Sequence, residues 1–372
     1  MPSQCWTTLR LSPSQTCFAS ANLHSGFALA LVRVLWRSAL MSTDFRVPDF
    51  ADIEAAARRI APWTVVTPLL ENPALNARLG RRVFLKPEML QRTGSFKFRG
   101  ACNRILLIPE ERRANGVVAF SSGNHAQGVA AAAALFGVPA TIVMPTDAPR
   151  AKIEGTKSYG ARIVYYDRRK DDREAIAAAI QSQSGATLIK PFDDPDIVAG
   201  QGTAGLEMAR QARALGVELG RVFVPCGGGG LVAGTALAFA HTSPATRVIG
   251  VEPADYDGMG RSLERGARTA APAQAVSIAD ALQAPMPGAV PFAIAKQHMS
   301  RAVTIGDDAL ANAVSLAIRM LKIVVEPGGA AGLAGALAHA SDARDLSIGI
   351  VLSGGNADPE TLAECCARFP AP

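Results

Sequence analysis

Several kinds of residue are scarce in this chain, and each scarcity narrows what the protein can be. Aromatic residues make up only 6% of the 372 residues, and there are five histidines and six cysteines. No two cysteines form a C-x-x-C pair and histidine is too sparse for a zinc site, so we expect a reduced, cytoplasmic setting. The apolar stretch at 27–36 is interrupted by Arg33 and is too short to cross a bilayer. We therefore expect no membrane association.

Positive charge is in excess, but the basic residues are scattered along the chain. The net charge is +6 and the pI is about 9.1. The chain has no long Lys/Arg run, and the basic group at 168–170 is flanked by acidic residues at 167, 171 and 172, as on a solvated surface. The sequence therefore predicts no nucleic-acid binding.

The first 43 residues differ from the rest, because they contain arginines but no acidic residue before Asp44. Such a segment fits an organelle transit peptide. It also fits a start placed too far upstream, with Met41 as the true first residue. We favour the second interpretation, since a regular pattern begins just after Met41. In either case residues 1–43 are expected to be a non-core N-terminal extension.

Strand-like and helix-like patterns alternate from about residue 50 onward. The expected strands are 81–87, 116–120, 139–145, 161–166, 186–192, 221–226, 247–253 and 347–355. The expected helices are 52–63, 125–137, 152–160, 173–185, 202–216, 231–241, about 307–321 and 330–340. This alternation predicts an α/β fold with mostly parallel sheets. A chain of 372 residues suits two domains, or one large domain.

Four glycine-containing segments fall where a strand ends or the next helix begins. They are TGSFKFRGA (93–101), SSGNHAQG (121–128), CGGGGLVAG (226–234) and LSGGN (352–356). Ligands of open α/β sheets bind beyond the carboxyl ends of the strands. The four segments are therefore the candidate site.

The run of four glycines at 227–230 predicts phosphate binding. It follows a strand and opens a helix, so its backbone N–H groups and the helix dipole favour an anion. A simple tight turn would need one or two glycines. The run is not a Walker P-loop, because no Gly-Lys-Ser/Thr follows it. It also lacks the G-x-G-x-x-G pattern with a following acid, so a nucleotide cofactor is only weakly supported.

Two of the other segments supply polar side chains. Ser121 or Ser122 can cap the helix that follows. The residues GNH at 123–125 add more polarity than a cap requires, and a helix start suits a small carboxylate. LSGGN alone would be a turn, but beside the other segments it can place Ser353 against a ligand.

Lys97 is the candidate for covalent chemistry. It lies between Phe96 and Phe98, and an apolar setting lowers the pKa of a lysine and makes its amine nucleophilic. A lone lysine would more often be a surface residue with a buried stem. Together with a phosphate-binding loop, however, it predicts pyridoxal phosphate, whose aldehyde forms a Schiff base with lysine.

Five segments carry a resemblance to a known family: SFKFRGA, SSGNHAQG, GGGG, VVEPGGA (324–330) and VLSGGN (351–356). In this order they resemble the serine/threonine dehydratase and serine racemase family, from about residue 50 to 360. The resemblance implies the tryptophan-synthase-β fold of pyridoxal-phosphate enzymes (fold type II), with two three-layer αβα domains. It implies a large cofactor-binding domain, 44–115 and 194–372, and a small mobile substrate domain, 116–193.

The resemblance implies how the cofactor would be held. Lys97 would carry it and take the substrate's Cα proton, with Phe96 against the ring. Asn124 would meet the phenolic oxygen and Ser353 the pyridine nitrogen. The residues implied to hold the phosphate are Gly227, Gly228, Gly229, Gly230 and Leu231.

The resemblance also implies the substrate site and a lyase activity. The residues implied to surround the substrate carboxylate are Ser121, Gly123, Asn124 and His125. Arg173 aligns with an arginine that reaches the substrate in some relatives. We expect an ammonia-lyase (dehydratase) that acts on L-threonine and L-serine and gives a 2-oxo acid and ammonia. Ser353 is a neutral partner for the pyridine nitrogen, which favours prompt loss of the β-hydroxyl.

Ser122 keeps an alternative open. Many threonine dehydratases carry alanine at this position, and serine racemases carry a serine that acts on the face opposite the lysine. The runner-up is therefore a serine racemase or a threo-3-hydroxyaspartate dehydratase, unless Ser122 is only a helix cap. A non-catalytic protein that keeps the cofactor is a third hypothesis, which the intact Lys97, glycine run and Ser353 disfavour.

Departures from the family pattern concern a metal and the cofactor pocket. Relatives often bind Mg²⁺ or Ca²⁺ through a Glu, a carbonyl four residues on and an Asp two further on. Glu252 and the Tyr256 carbonyl match, but the third position is Gly258, with Asp257 beside it. Hard cations need several oxygen ligands, so a metal is not favoured. Ala281 replaces a glycine that lies on the cofactor side of the pocket in relatives.

The resemblance also implies that the protein is a homodimer.

Overall fold

The computed structural model describes residues 46–272, 275–339 and 347–370. The expected extension, 1–43, lies outside the described residues. Within them, strands and helices alternate and the strands form two sheets. The predicted α/β fold is confirmed.

The secondary structure elements are numbered here in chain order. The strands are β1 (Leu70–Glu71), β2 (Val83–Pro87), β3 (Val117–Phe120), β4 (Ala140–Pro145), β5 (Arg162–Tyr166), β6 (Thr187–Leu188), β7 (Leu219–Pro225), β8 (Arg247–Pro253), β9 (Arg301–Ile305) and β10 (Ser347–Leu352). The first helices are α1 (Phe50–Ile60), α2 (Pro73–Leu79), α3 (Lys97–Leu106), α4 (Glu110–Arg113), α5 (Asn124–Leu135), α6 (Arg150–Ser158) and α7 (Arg173–Ser184). The later helices are α8 (Pro195–Ala214), α9 (Gly230–Thr242), α10 (Gly258–Arg265), α11 (Ala289–His298), α12 (Asp307–Leu316), α13 (Ala331–His339) and α14 (Pro359–Arg368). Across the described ranges, no helix combines the length and apolar character needed to cross a membrane.

The larger sheet brings three of the four glycine-containing segments to one edge. Its order is β1-β2-β10-β7-β8-β9, and β1 alone among these strands is antiparallel to its neighbour. β10 lies between β2 and β7, with Val351 opposite Lys86 and Ile350 opposite Phe223. Because β2, β7 and β10 run in the same direction, the segments that follow them emerge side by side.

The smaller sheet has the order β5-β4-β3-β6, and all of its strands are parallel. β3 is an inner strand, and its last residue, Phe120, lies opposite Val143 of β4. Residues of β3 and β4 are buried in hydrophobic clusters on both faces, as parallel sheets require. The fourth segment, SSGNHAQG, therefore leaves from the middle of this sheet and opens α5.

The long helix α8 fixes the position of two helices that carry site residues. A Cβ added to Gly200 would lie 2.6 Å from the Cα of Gly100 in α3, and one added to Gly234 in α9 would lie 2.7 Å from the Cα of Gly202. Larger side chains would separate these backbones. Since α3 begins at Lys97 and α9 begins within the glycine run, close packing on α8 holds both helix starts in place.

The structure differs from the expected elements at several boundaries. The helix expected at 202–216 begins at Pro195, because the side chain of Asp194 caps the N–H groups of Asp196 and Ile197. The strand expected at 186–192 is limited to Thr187–Leu188 at the edge of its sheet. The elements that were not expected are α2, α3, α4, α10, α11, α14, β1 and β9.

The expected domain division stays a prediction. All four strands of the smaller sheet lie within 116–193, and all six strands of the larger sheet lie outside that range. This arrangement agrees with the expected boundaries. Movement of 116–193 as a separate unit is a further claim, which the arrangement of strands does not test.

A buried ionic network lies beneath the start of α3. Arg99 is fully buried, and it donates to both oxygens of Glu88 at 2.7 and 2.8 Å and to both oxygens of Glu207 at 2.7 and 2.9 Å. Lys86 also donates to Glu207, at 2.9 Å, and to the carbonyl of Thr67, at 2.8 Å. Although burial opposes it, Arg99 keeps the pKa of Glu88 below its ordinary value. The network joins β2, α3 and α8 two residues from Lys97.

Replacing Arg99 should be strongly destabilising. Arg99→Met leaves Glu88 buried without its main partner, and we expect the free energy of unfolding to fall by about 3–5 kcal/mol. Urea denaturation measures this loss. Arg112→Met, at an exposed position, is the matched control and should change stability by about 0.5 kcal/mol or less. Equal effects of the two substitutions would contradict the interpretation.

Candidate active site

A cavity of about 330 Å³ opens at the carboxyl ends of the strands. Its wall brings together the residues expected to bind cofactor or substrate: Phe96, Lys97, Ser121, Ser122, Gly123, Asn124, His125, Arg173, Gly227, Gly228, Gly229, Gly230, Leu231 and Ser353. Ala281 also lines it, whereas the expected metal ligands Glu252 and Tyr256 are not part of this wall. Segments from the ends of β2, β3, β7 and β10 thus form one site.

Lys97 is the first residue of α3, and its amine faces the cavity. The Nζ atom donates to the carbonyl oxygen of Pro191 at 2.8 Å and lies 5.1 Å from the centre of the Phe96 ring. Protein encloses the ammonium group, and this burial lowers the pKa of Lys97 to about 8. No carboxylate of the described residues pairs with it. Near neutral pH a larger fraction of this amine is therefore unprotonated and nucleophilic than of an exposed lysine.

Backbone contacts hold the Lys97 segment against the segment after β10. The N–H of Phe96 donates to the carbonyl of Ser353 at 3.1 Å, and Ser95 pairs with Gly354 in an isolated bridge. The Ser353 side chain is nearly buried and lines the cavity. Its hydroxyl makes no hydrogen bond to other described residues, so it is available to a ligand.

The glycine run offers free N–H donors at the start of α9. Helix α9 begins at Gly230, and Gly229 before it has a φ of 95°, which favours glycine. Within the described part of the chain, no acceptor pairs with the N–H groups of Gly227, Gly228 and Gly229. A Cβ added to Gly228 would come within 2.3 Å of the Phe192 ring. Gly228 and Gly229 are therefore restricted to glycine, and the N–H donors of the run and the helix dipole suit a phosphate.

The SSGNH segment (121–125) contributes neutral polar groups. The Ser121 hydroxyl accepts a hydrogen bond from the N–H of Gly123 at 3.1 Å. His125 is buried, and its Nε2 lies 2.9 Å from the carbonyl oxygen of Ile189. Burial, together with the charge of Lys97, lowers the pKa of His125 to about 3, so the ring is neutral near pH 7. The segment can offer hydrogen bonds to a carboxylate but no full positive charge.

A cluster of charged residues, which sequence reasoning missed, lies behind Asn124. The amide nitrogen of Asn124 donates to the fully buried Glu326, and Asn356 donates to the Asn124 oxygen at 2.8 Å. Lys152 contacts Asp280 and lies 3.5 Å from Glu326. Burial, with the nearby Asp280, raises the pKa of Glu326 to about 7. Glu326 stands out as a charge within the apolar stretch 323–334, but nothing in the local sequence marks Lys152.

Arg173 begins α7 and points to the same cavity. Its guanidinium carbon lies 5.4 Å from the centre of the Phe120 ring. The other two cavity cations outside α3 have acidic partners, since Arg168 pairs with Asp147 and Lys152 with Asp280. Arg173 pairs with no carboxylate of the described residues, so it can accept an anion.

The donor set around Glu252 does not fit Mg²⁺ or Ca²⁺. Both carboxylate oxygens of Glu252 already accept backbone N–H groups at 2.8 Å, from Met259 and Gly260 in the first turn of α10. Asp257 pairs with Arg261, and Gly258 has no side-chain oxygen. Among the ranges described, no group of three or more His, Cys, Asp or Glu residues is placed to hold a metal. The helix start supplies the positive partner of Glu252.

Divalent ions should therefore leave the stability of the protein unchanged. We expect no rise in melting temperature with millimolar Mg²⁺ or Ca²⁺. An ion that did bind, present at about 100 times its Kd, would add about 2.7 kcal/mol to the free energy of unfolding. An ion-dependent rise in the unmodified protein, lost with a chelator, would show that Glu252 does hold a metal.

Proteins of similar sequence point to one family. Residues 60–354 match the model of a family described as pyridoxal-phosphate-dependent enzyme. The chain is 42% identical over 318 residues to L-threo-3-hydroxyaspartate ammonia-lyase of Saccharomyces cerevisiae, with 85% of this chain and 96% of the relative covered. It is 40% identical over 324 residues to serine racemase of Schizosaccharomyces pombe, with 87% and 98% covered.

The solved structures lead to the same family. The threonine deaminase of T.th. matches with a TM-score of 0.79 and 45% identity, covering 84% of this chain and 99% of that one. The resemblance drawn from the five sequence segments is confirmed. This chain therefore belongs to the family of pyridoxal-phosphate-dependent enzymes and has their tryptophan-synthase-β-like fold.

Proposed function

We propose that this protein is a pyridoxal-phosphate-dependent ammonia-lyase that converts 3-hydroxy amino acids into 2-oxo acids and ammonia. One observation carries the proposal. A lysine amine with a lowered pKa, free N–H donors at a helix start and a free serine hydroxyl meet in one cavity. The names of two relatives, an ammonia-lyase and a deaminase, support the reaction type.

The cavity offers a protein group for each part of the cofactor. The N–H groups of Gly227–Leu231 suit the phosphate, Asn124 the phenolic oxygen and Ser353 the pyridine nitrogen. When bound, pyridoxal phosphate supplies an electron sink that lets the Cα proton of an amino acid leave. Lys97 would hold the cofactor, and its amine would receive that proton.

The neutral hydroxyl of Ser353 favours elimination. A carboxylate beside the pyridine nitrogen would hold it protonated, whereas a hydroxyl does not, so negative charge at Cα is stabilised less and is short-lived. The electron pair of the broken Cα–H bond would form a Cα=Cβ double bond, and the β-hydroxyl would leave as water with the proton that Lys97 received. The released unsaturated amine tautomerises and takes up water, giving the 2-oxo acid and ammonia.

Arg173 favours 3-hydroxyaspartate as the preferred substrate over threonine and serine. Its guanidinium lines the cavity without a carboxylate partner in the described parts of the chain. A substrate with a second carboxylate supplies that partner, and a charge-assisted hydrogen bond between the two is stronger than a neutral one. At the same position threonine has a methyl group and serine a hydrogen atom, and neither can form a hydrogen bond with Arg173.

Ser122 supports racemisation as a second activity. Its side chain lines the cavity with Lys97, and its hydroxyl makes no hydrogen bond to the described residues. A hydroxyl free in this way would give its proton to Cα, and the alkoxide that remains would take a proton from Cα in the reverse direction, as a second acid–base group must. Serine racemase is among the relatives.

A substrate panel tests this function. The loaded protein is incubated with L-threo-3-hydroxyaspartate, L-threonine, L-serine and D-serine, and oxo-acid formation and chirality are followed together. We expect the highest kcat/KM with 3-hydroxyaspartate. Arg173→Leu should lower that value by about 10–100-fold, the effect of losing a charged hydrogen bond, and should leave L-serine within a few-fold.

The matched control is Arg169→Leu, at an exposed position of the preceding turn, which should leave all rates unchanged. Equal losses for hydroxyaspartate and serine in Arg173→Leu would remove the argument for a second carboxylate. A loaded protein that neither eliminates nor racemises any of the four would be the non-catalytic binding protein.

A further inference from the structure

We propose that Phe192 is a positioning residue for the cofactor phosphate, because its ring holds the glycine run at 227–230 in the conformation that presents its N–H groups to the cavity. Phe192 lies outside the five segments that carry the family resemblance. The inference rests on the cofactor-binding part of the proposed function, since it concerns how one group of the cofactor is held.

A run of four glycines needs support from its surroundings. Glycine has access to more backbone conformations than any other residue and loses the most freedom when it is fixed. No acceptor in the ranges that the structure describes pairs with the N–H groups of Gly227, Gly228 and Gly229. The carbonyl of Gly228 accepts the N–H of Gly288 at 3.0 Å, which restrains one peptide group of the run. Packing against neighbouring side chains has to supply further restraint.

The ring of Phe192 packs directly on Gly228. A Cβ added to Gly228 would lie 2.3 Å from the Cγ and Cδ1 atoms of the ring, and one added to Gly230 would lie 3.3 Å from the Cβ atom of Phe192. The φ of Gly228 is outside the left-handed region, so a positive φ is not what requires glycine here. The ring is therefore the group that excludes a side chain at position 228.

The backbone on either side of Phe192 is fixed by hydrogen bonds to other elements. Phe192 lies in the connection between β6 and α8, where the preceding carbonyl, of Pro191, accepts from Lys97 at 2.8 Å. The following carboxylate, of Asp193, accepts the N–H of Val290 in α11 at 2.9 Å. One short segment thus positions both the amine expected to take the cofactor aldehyde and the run expected to take its phosphate.

The ring also changes the surroundings of the N–H donors. Phe192 lines the cavity together with the glycine run, so an apolar face lies beside the groups that would bind the phosphate. A hydrogen bond to a charged group is stronger where water is excluded. Without the ring, the run would have to become ordered when the phosphate binds, and its donors would be more exposed to water. Both effects weaken the binding of a phosphate.

Two ligands that differ in the phosphate test this role. Pyridoxal phosphate and pyridoxal share the ring and the aldehyde, and only the first has the phosphate. The Kd of each for the cofactor-free protein is measured from the visible absorption that appears when the aldehyde joins Lys97. Phe192→Ala should raise the Kd of pyridoxal phosphate by about tenfold, as expected if about one more residue has to be ordered on binding. The Kd of pyridoxal should stay unchanged.

Equal weakening of both ligands would show a general loss of structure and would overturn the proposal, as would an unchanged Kd of pyridoxal phosphate. Phe369→Ala is the matched control, because this phenylalanine is also half-buried but lies outside the cavity wall. It should bind both ligands normally. Should Phe192→Ala not fold, Phe192→Leu keeps apolar bulk without the flat ring and should shift the two Kd values in the same selective way.

A second variant tests the contact between the ring and the glycine run. Gly228→Ala places a methyl group where the ring lies, so we expect it to displace the run and to lose most of its affinity for pyridoxal phosphate. Removing the ring as well, in Gly228→Ala combined with Phe192→Ala, makes room for the methyl group. The double variant should bind about as well as Phe192→Ala alone. A double variant that binds no better than Gly228→Ala would contradict the proposal.

Failure of the inference and failure of the proposed function give different results. If the unmodified protein does not bind pyridoxal phosphate, both are wrong. If it binds the cofactor and Phe192→Ala binds it with the same Kd, only the role of Phe192 is wrong.

Discussion

The arrangement around Lys97 depends on keeping one buried amine free of carboxylates. Its Nζ atom meets a single carbonyl, and burial without an acidic partner sets its pKa near 8. Acidic residues are not absent from this region, but each buried one has its own cation. Glu88 is held by Arg99, and Glu326 faces Lys152. Burial sets the pKa of Lys97, and the two networks position the elements that form the cavity.

The fold forms the site around Lys97 by bringing the carboxyl ends of several strands together. β10 lies between β2 and β7, so the Ser353 segment emerges between the Lys97 segment and the glycine run. The Ser95–Gly354 bridge and the Phe96–Ser353 hydrogen bond then join two of these segments directly. Across the cavity, the smaller sheet presents SSGNH and Arg173. The substrate would therefore lie between groups that are more than 200 residues apart in sequence, such as Asn124 and Ser353.

Local patterns in the sequence were sufficient to predict eight of the ten described strands and most residues of the cavity wall. Lys97 was recognisable because a lysine between two phenylalanines is unusual, and the glycine run because four glycines in a row after an apolar strand are unusual. Both patterns lie within a few residues of sequence. The charged cluster was missed because the pairing of Lys152 with Asp280 and Glu326 arises only when distant segments fold together. The helix beginning at Lys97 was missed for another reason: its sequence, KFRGACNRIL, contains a glycine and no acidic N-terminal cap. Glu252 matches one ligand position of the metal site that the resemblance implies, although a metal was not favoured, and the fold places a helix start against it.

The central claim is that the Lys97 amine carries the cofactor. The most direct measurement is to load the protein with pyridoxal phosphate, reduce it with borohydride, digest it and locate the added pyridoxyl mass by mass spectrometry. Reduction makes the lysine attachment permanent, so the mass marks the residue that carried the cofactor. The account predicts the modification on Lys97, in the peptide that contains TGSFKFR. A modification on Lys152 or another lysine instead, or no modification at all, would contradict it.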